Sequence, residues 1–323
     1  MDSLFLTILN MSITGSFVII IIVIARLLLK KAPKIISYCL WAVAGIRLLF
    51  PFSIESIWSI MPFGAQPIPT NAIAPYITDA VLLAPGPSLA HGWTWLTIIA
   101  IISLVGAAAM FGYGMLSYFA LKSKLRGSVH MQENIYEAAN IKSPFVLGFL
   151  SPKIYLPIGL SEQEREHVVL HEQIHIKRFD HIVKFVAYFI LCLHWFNPLV
   201  WLAFKLMVRD MEMSCDERVL KEMGIEETKE GYSMLLVSLA MEKQIVAGSP
   251  LAFGESSIKQ RVKNVLNLKK NSRLVSIVAV VMVAALSMGL ITSPVTAAIQ
   301  EEVITSPPTS SKDGWLFLCP PGF

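Results

Sequence analysis

Residues 4–29 form an apolar run with a single ionisable side chain, Arg26, and are followed at once by Lys30, Lys31 and Lys34. About 20 consecutive apolar residues suffice for a helix to cross the hydrocarbon of a bilayer, so this run is long enough to span. Its positive charges follow the apolar stretch instead of preceding it. It therefore reads as a retained membrane helix with its N-terminus outside, not as a cleaved leader. A second run, Ile35 to Phe52, returns across the bilayer, and its Arg47 is read as snorkelling to the outer interface. Residues 61–92 contain several Pro and no Lys or Arg, which marks an external loop. A third run, Trp93 to Leu121, re-enters and is stopped by Lys122, Lys124 and Arg126; a fourth, Leu274 to Ile291, leaves again. With 54% hydrophobic and 15% charged residues, the chain is too apolar to be soluble. The lipid bilayer is thus an expected partner, and a net charge of +4 gives no reason to expect direct nucleic-acid binding.

Between the third and fourth runs the composition turns charged and mixed, as a folded cytoplasmic domain requires. Short strands are expected at 128–131, 134–138, 144–149 and 153–157, separated by Asn, Gly and Pro turn signals. Next comes Ser161-Glu-Gln-Glu164, a capping box that opens a helix containing His171-Glu172-Gln173-Ile174-His175. Residues four apart share a helix face, so the imidazoles of His171 and His175 converge on one metal ion, with Glu172 beside them to take a proton from a bound water. Zinc suits such nitrogen ligands when a third protein ligand and an open position complete the site. Glu212 is the best third ligand. Asn197-Pro198 starts a helix that Gly224 ends. At about 100° per residue, Val208, Cys215 and Val219 fall within about 60° of Glu212, which places this carboxylate in an apolar stripe where metal binding would offset its burial. Asp210 and Glu217 point away from that stripe. Asp216, one turn on, is placed to receive the second ring N–H of a ligating His.

Residues 182–208 are apolar enough to span, yet a crossing would put Glu212 on the opposite side from His171 and His175. The Asn197-Pro198 break instead suggests a helix-break-helix that packs into the domain core or dips into the inner leaflet and returns. His194, within it, reads as structural. Residues 228–243 and 256–270 look like two further helices, the second carrying Lys259, Arg261, Lys263, Lys269 and Lys270 as a membrane-proximal anchor. Gly106 and Gly112-Tyr-Gly114 suggest close helix packing. The four Cys show no CxxC pairing, so neither a disulfide framework nor a Cys-based zinc site is indicated. The organisation expected is three transmembrane helices in 1–121 with external loop 61–92, a cytoplasmic α+β zinc-metallopeptidase domain in 122–273, a fourth transmembrane helix at 274–292 and a short external tail at 293–323. Both termini then lie outside the cell membrane.

This layout, together with Ser143-Pro-Phe-Val-Leu-Gly-Phe-Leu-Ser-Pro-Lys-Ile-Tyr-Leu-Pro157, His171-Glu-Gln-Ile-His-Ile-Lys-Arg-Phe-Asp-His181, Trp195-Phe-Asn-Pro198 and Glu212-Met-Ser-Cys-Asp-Glu217, resembles the BlaR/MecR family of membrane-bound gluzincin peptidases. The resemblance implies Zn2+ held by His171, His175 and Glu212, Glu172 as general base and Asp216 behind the ligands. It also implies signal transduction by site-specific cleavage of a cytoplasmic protein, a DNA-binding repressor, with self-cleavage before the last span. The antibiotic receptors of that family carry a C-terminal penicillin-binding domain. The one SxxK here, Ser256-Ser-Ile-Lys259, lies on the cytoplasmic side without an SDN or KTG companion, so β-lactam binding is not expected. Two other functions use the same residues: a catalytically idle sensor or scaffold with a structural metal, and a housekeeping membrane protease.

Overall fold

A computed structural model describes residues 2–51, 54–55, 95–242, 258–268 and 273–293. The expected external loop 61–92, Ser256 of the SxxK sequence, Lys269 and Lys270, and the tail beyond 293 lie outside the described residues.

The chain runs through α1 (Asp2–Leu28), α2 (Lys34–Leu49), a two-residue β1 (Ile54–Glu55), α3 (Trp95–Lys124), strands β2 (Val129–Gln132), β3 (Ile135–Ala138), β4 (Phe145–Leu147) and β5 (Lys153–Pro157), then α4 (Glu162–Lys177), α5 (Asp180–Leu193), α6 (Pro198–Met223), α7 (Ile225–Glu242), α8 (Ile258–Leu266), α9 (Arg273–Ile291) and β6 (Thr292–Ser293). Three of the helices, spanning Ser3–Lys31, Trp95–Lys124 and Leu274–Ile291, are long and apolar enough to cross a membrane. Helix α2 is not among them. Its 16 residues rise about 24 Å, short of the roughly 30 Å hydrocarbon core. It is instead enclosed by α1, α6 and α9, with which it makes its main contacts.

Arg47 does not snorkel. It is 6% exposed, and its guanidinium donates to the carbonyls of Leu290 and Thr292, each at 3.2 Å, at the C-terminal end of α9. Unpaired carbonyls and the negative end of the helix dipole make that end a natural seat for a cation.

The helix-break-helix forms as expected, over residues 180–223, and its turn is inserted into the helix bundle. At the break, Asn197 Oδ1 accepts from the Leu199 N–H at 2.9 Å and so caps α6, while its Nδ2 donates to Ser12 Oγ and Ser16 Oγ on α1, both at 2.8 Å. Ser12 lies about 27 Å up α1 from Lys30, so the turn sits near the far end of the bundle. His194 Nε2 donates to the Leu48 carbonyl (3.0 Å), Trp195 Nε1 to that of Ser103 (3.0 Å) and the Tyr188 hydroxyl to that of Met110 (2.7 Å). These bonds pair most of the polar side-chain groups of the turn inside the helix bundle, His194 Nδ1 being left without a partner. His194 is structural, as expected. Gly106 and Gly114 allow the approach of α3, since a Cβ at Gly106 would overlap the Trp195 ring and one at Gly114 would lie 2.5 Å from the Tyr188 ring.

Helix α6 belongs to two cores. Its first half, from Val200 to Met211, packs with α1, α2, α5 and α9 in the helix bundle. Its second, with Cys215, Val219 and Leu220, packs against Ile154 and Leu156 of β5, Val168 and Ile174 of α4, Tyr232, Leu235 and Leu236 of α7, and Val265 of α8. From Leu206 to Glu217 no residue of α6 is exposed, so the acids that point away from the apolar stripe are buried as well. Asp210, fully buried, pairs with Arg26 of α1 and accepts from Trp41 Nε1 of α2 at 2.9 Å. Glu217, 6% exposed, accepts from the Lys34 backbone N–H at 2.9 Å and from Asn264 Nδ2 at 3.2 Å. Asp210→Ala should destabilise the folded chain by about 3–5 kcal/mol, because it strands the Arg26 guanidinium in the bundle. Denaturant unfolding in detergent would measure this, and a loss below about 1 kcal/mol would show that the pair contributes little.

The four strands form one sheet in the order β2-β3-β5-β4, with β3 and β5 parallel and the outer pairs antiparallel. They fall within one residue of the expected positions, except that the third ends at Leu147. Strand β4 is an edge, and α4 packs on β4 and β5.

Candidate metal centre

Helix α4 begins as its sequence dictates. Ser161 Oγ accepts from the Glu164 N–H at 3.3 Å and the Glu164 carboxylate accepts from the Ser161 N–H at 3.0 Å. Farther along the helix, His171, Glu172 and His175 are buried together at 8%, 8% and 9% exposure. The two imidazoles turn their Nε2 atoms toward one another at 3.1 Å. Glu212, reaching in from α6, puts one carboxylate oxygen 3.6 Å from His171 Nε2 and the other 3.9 Å from His175 Nε2. The residues expected as ligands are thus brought together, with Glu172 next to them on α4. Of the α6 acids Asp210, Glu212, Asp216 and Glu217, Glu212 is the least buried, its side chain 19% exposed. Orientation, not burial, is what distinguishes it.

The outer nitrogens settle the ring tautomers. His175 Nδ1 donates to Asp180 Oδ2 at 2.7 Å. Asp180 reaches it because Phe179, in the left-handed region at φ 57°, turns the chain sharply between α4 and α5. His171 Nδ1 meets the hydroxyl of Tyr232 at 2.9 Å, and that hydroxyl donates to Asp216 Oδ1 at 2.8 Å. Burial and the neighbouring Asp216 push the Tyr232 phenol well above its ordinary pKa, so it keeps its proton. The relay is therefore His171 N–H to Tyr232 O–H to Asp216. Asp216 was expected to accept the ring N–H directly; its oxygen stands 3.5 Å from Nδ1, and Tyr232 carries the bond. Asp216 is in turn gripped by Arg261, whose Nε and Nη2 donate at 2.8 Å and 2.7 Å, while Nη1 lies 3.1 Å from Glu212. Arg261, expected as part of a membrane anchor, is a member of the site.

These partners bear on what the site can hold. With both Nδ1 atoms committed as donors, the two Nε2 atoms face each other at a separation that a proton or a shared cation between them must bridge. Two nitrogens bound to one tetrahedral zinc at about 2.0–2.1 Å lie roughly 3.3 Å apart, close to the separation observed. Electrostatics point the same way. Burial disfavours a charged ring at His171, but Cys215 and Glu212 outweigh it and bring its pKa up to about 10, and His175 is likewise raised. Burial pushes the Glu212 carboxyl up, but Arg261 and the two imidazoles hold it well below the usual range. The donor set fits a divalent metal.

Cys215 competes with Glu212 for the third position. It is fully buried, its thiol donates to the His171 carbonyl at 3.4 Å, and its sulfur and one nitrogen of each imidazole all lie within 4.8 Å of one another. Helical periodicity places Cys215 only in an apolar stripe. Three further residues of the site escape sequence reasoning as well. Asp180 stands within the run that follows the two histidines, yet nothing local assigns it a role. Tyr232 looks like a core position of an amphipathic helix, and Arg261 is hidden in a basic run.

The family described as BlaR1 peptidase M56 matches residues 6–265. The regulatory protein BlaR1 of Bacillus licheniformis is 32% identical over 152 residues, 45% of this chain and 25% of that protein. The methicillin resistance mecR1 protein of Staphylococcus aureus strain Mu50 is 32% identical over 171 residues, 50% of this chain and 29% of that protein. The chain therefore spans less than a third of the length of these curated relatives.

Proposed function

The chain belongs to the BlaR1 peptidase M56 family, and from that premise we propose that it is an integral-membrane zinc endopeptidase that transmits a signal by cutting a cytoplasmic protein at a specific site. The observation that carries this reading is the convergence of His171, His175 and Glu212 on one point beside Glu172. In this reading the substrate is a DNA-binding repressor, and the chain also cuts itself between its peptidase domain and its last span. The orientation follows from the Lys clusters that close α1 and α3: four membrane passages, with α2 as the short one shielded by its neighbours, and the metal centre on the cytoplasmic side.

His171, His175 and Glu212 hold the metal, which when bound polarises the scissile carbonyl and acidifies the attacking water. Glu172 takes the water's proton and returns it to the departing amine, so that the peptide C–N bond breaks as the new C–O bond forms. Asp180 and the Tyr232–Asp216 pair hold both rings in the Nδ1–H tautomer that leaves Nε2 free to ligate. Arg261 keeps Glu212 ionised and fixes Asp216. The edge strand β4 offers its unpaired backbone groups to an extended substrate, adding it to the sheet beside α4.

Cys215 supports a second reading. If its thiolate joined the other three ligands, the site would be closed, as structural zinc sites are, and the chain would act as a sensor without catalysis.

The test is to incubate the full chain in nanodiscs with a candidate repressor and follow intact masses. A single cut is expected, giving two fragments whose masses sum to the repressor plus one water. An intact repressor alongside general degradation of unfolded membrane proteins would support the housekeeping function instead.

A further inference from the structure

We propose that helix α2 sets the geometry of the metal centre through Tyr38, a positioning residue that acts on His175 by way of Asp180. The inference rests on the metal-centre reading given above. The Tyr38 hydroxyl donates to Asp180 Oδ1 at 2.9 Å, while Asp180 Oδ2 accepts from His175 Nδ1 at 2.7 Å. Asp180 is 2% exposed, so water does not substitute for either partner. Arg178 completes the arrangement, its Nε 3.5 Å from Asp180 Oδ2 and its guanidinium 5.0 Å from the centroid of the Tyr38 ring. A carboxylate held at one oxygen only can swing about its Cβ–Cγ bond. Held at both, it fixes the direction of the imidazole N–H that it receives, and so the aim of Nε2 on the opposite side of the ring.

Tyr38 belongs to a larger contact. Positions 34, 38 and 41 share one face of α2, and each meets an acid of the helices that build the site. The Lys34 N–H bonds Glu217 at 2.9 Å, the Tyr38 hydroxyl bonds Asp180, and Trp41 Nε1 bonds Asp210 at 2.9 Å. Asp210 and Glu217 bracket Glu212 and Asp216 on α6. The N-terminal end and one face of α2 therefore contact α6 on both sides of the ligand segment and, through Tyr38, the carboxylate behind His175. The contacts at Lys34 and Trp41 seat α2 against α6, and a shift of α2 along or about its axis would be felt at the metal centre through Tyr38 and Asp180.

The experiment uses the full chain in nanodiscs, loaded with Co2+, whose visible absorption reports ligand geometry. Tyr38→Phe keeps the ring over which Arg178 lies and removes only the donor. It should leave thermal unfolding unchanged, shift the Co2+ absorption and weaken Co2+ binding about tenfold in chelator competition, the low end of what an outer-shell partner contributes. Because Tyr38 acts through Asp180, adding Tyr38→Phe to Asp180→Asn should cost little more than Asp180→Asn alone. Trp41→Phe, which breaks a neighbouring contact of the same face, should leave the absorption as it is. An unaltered spectrum and affinity in Tyr38→Phe, full additivity with Asp180→Asn, or an equal shift in Trp41→Phe would each overturn the inference while leaving the metal centre intact. A native chain that takes up no Co2+ would remove both.

Discussion

Glu172→Gln should leave the chain folded and metal-bound while slowing peptide cleavage by about 10²–10⁴-fold, the range that a positioned general base contributes. The amide has the shape of the carboxylate but accepts no proton from the attacking water. Nothing else in the site depends on it: Asp180, Tyr232 and Asp216 set the imidazole tautomers, and Glu212 is held by Arg261. Zinc content and initial cleavage rates measured on the same preparation separate the two effects. A scaffold that only senses would signal as well in the Glu172→Gln variant as in the native chain, and cleavage at the native rate would remove Glu172 from the reaction.

Much of this is legible in the sequence because the signals are local. The capping box at Ser161 and Glu164, the Asn197-Pro198 start and the Gly224 end place the start of α4 and both ends of α6 to the residue, and periodicity puts His171 and His175 on one face and Glu212 in a buried stripe. Burial is harder to read. The middle of a helix shared by two cores is covered on more than its apolar stripe, so Asp210 and Glu217, which periodicity points away from that stripe, are inside and paired. Long-range partners are not legible at all. Arg261 in a basic run, Tyr232 on an amphipathic helix and Tyr38 in an apolar run acquire their roles only when the chain brings α8, α7 and α2 against the site. Asp180 needs the left-handed turn at Phe179, which no local propensity announces. The depth of the α5–α6 hairpin is likewise set by distant partners, the serines of α1 and carbonyls of α2 and α3, which make a polar turn tolerable in an apolar bundle.

Under the proposed function, these long-range partners also bear on signalling. Helix α6 runs from the bundle core to the metal centre without interruption, and α2 touches both it and Asp180. Any change in how α1, α2 and α9 pack therefore has a short mechanical route to the ligands. A loop-borne site would lack it.

In the proposed mechanism His171, His175 and Glu212, not Cys215, hold a metal whose fourth position stays open for catalysis. The measurement that addresses it is the zinc stoichiometry and affinity of the purified native chain beside Glu212→Ala and Cys215→Ala, with cleavage followed in the same samples. One zinc per native chain is expected. Glu212→Ala should weaken binding by more than about 100-fold, beyond the loss caused by an outer-shell partner, and cleavage should fall with it. Cys215→Ala should keep both. Full zinc occupancy in Glu212→Ala, together with its loss in Cys215→Ala, would contradict this and make Cys215 the third ligand in place of Glu212; loss of zinc in both variants would make the centre a closed, four-ligand one.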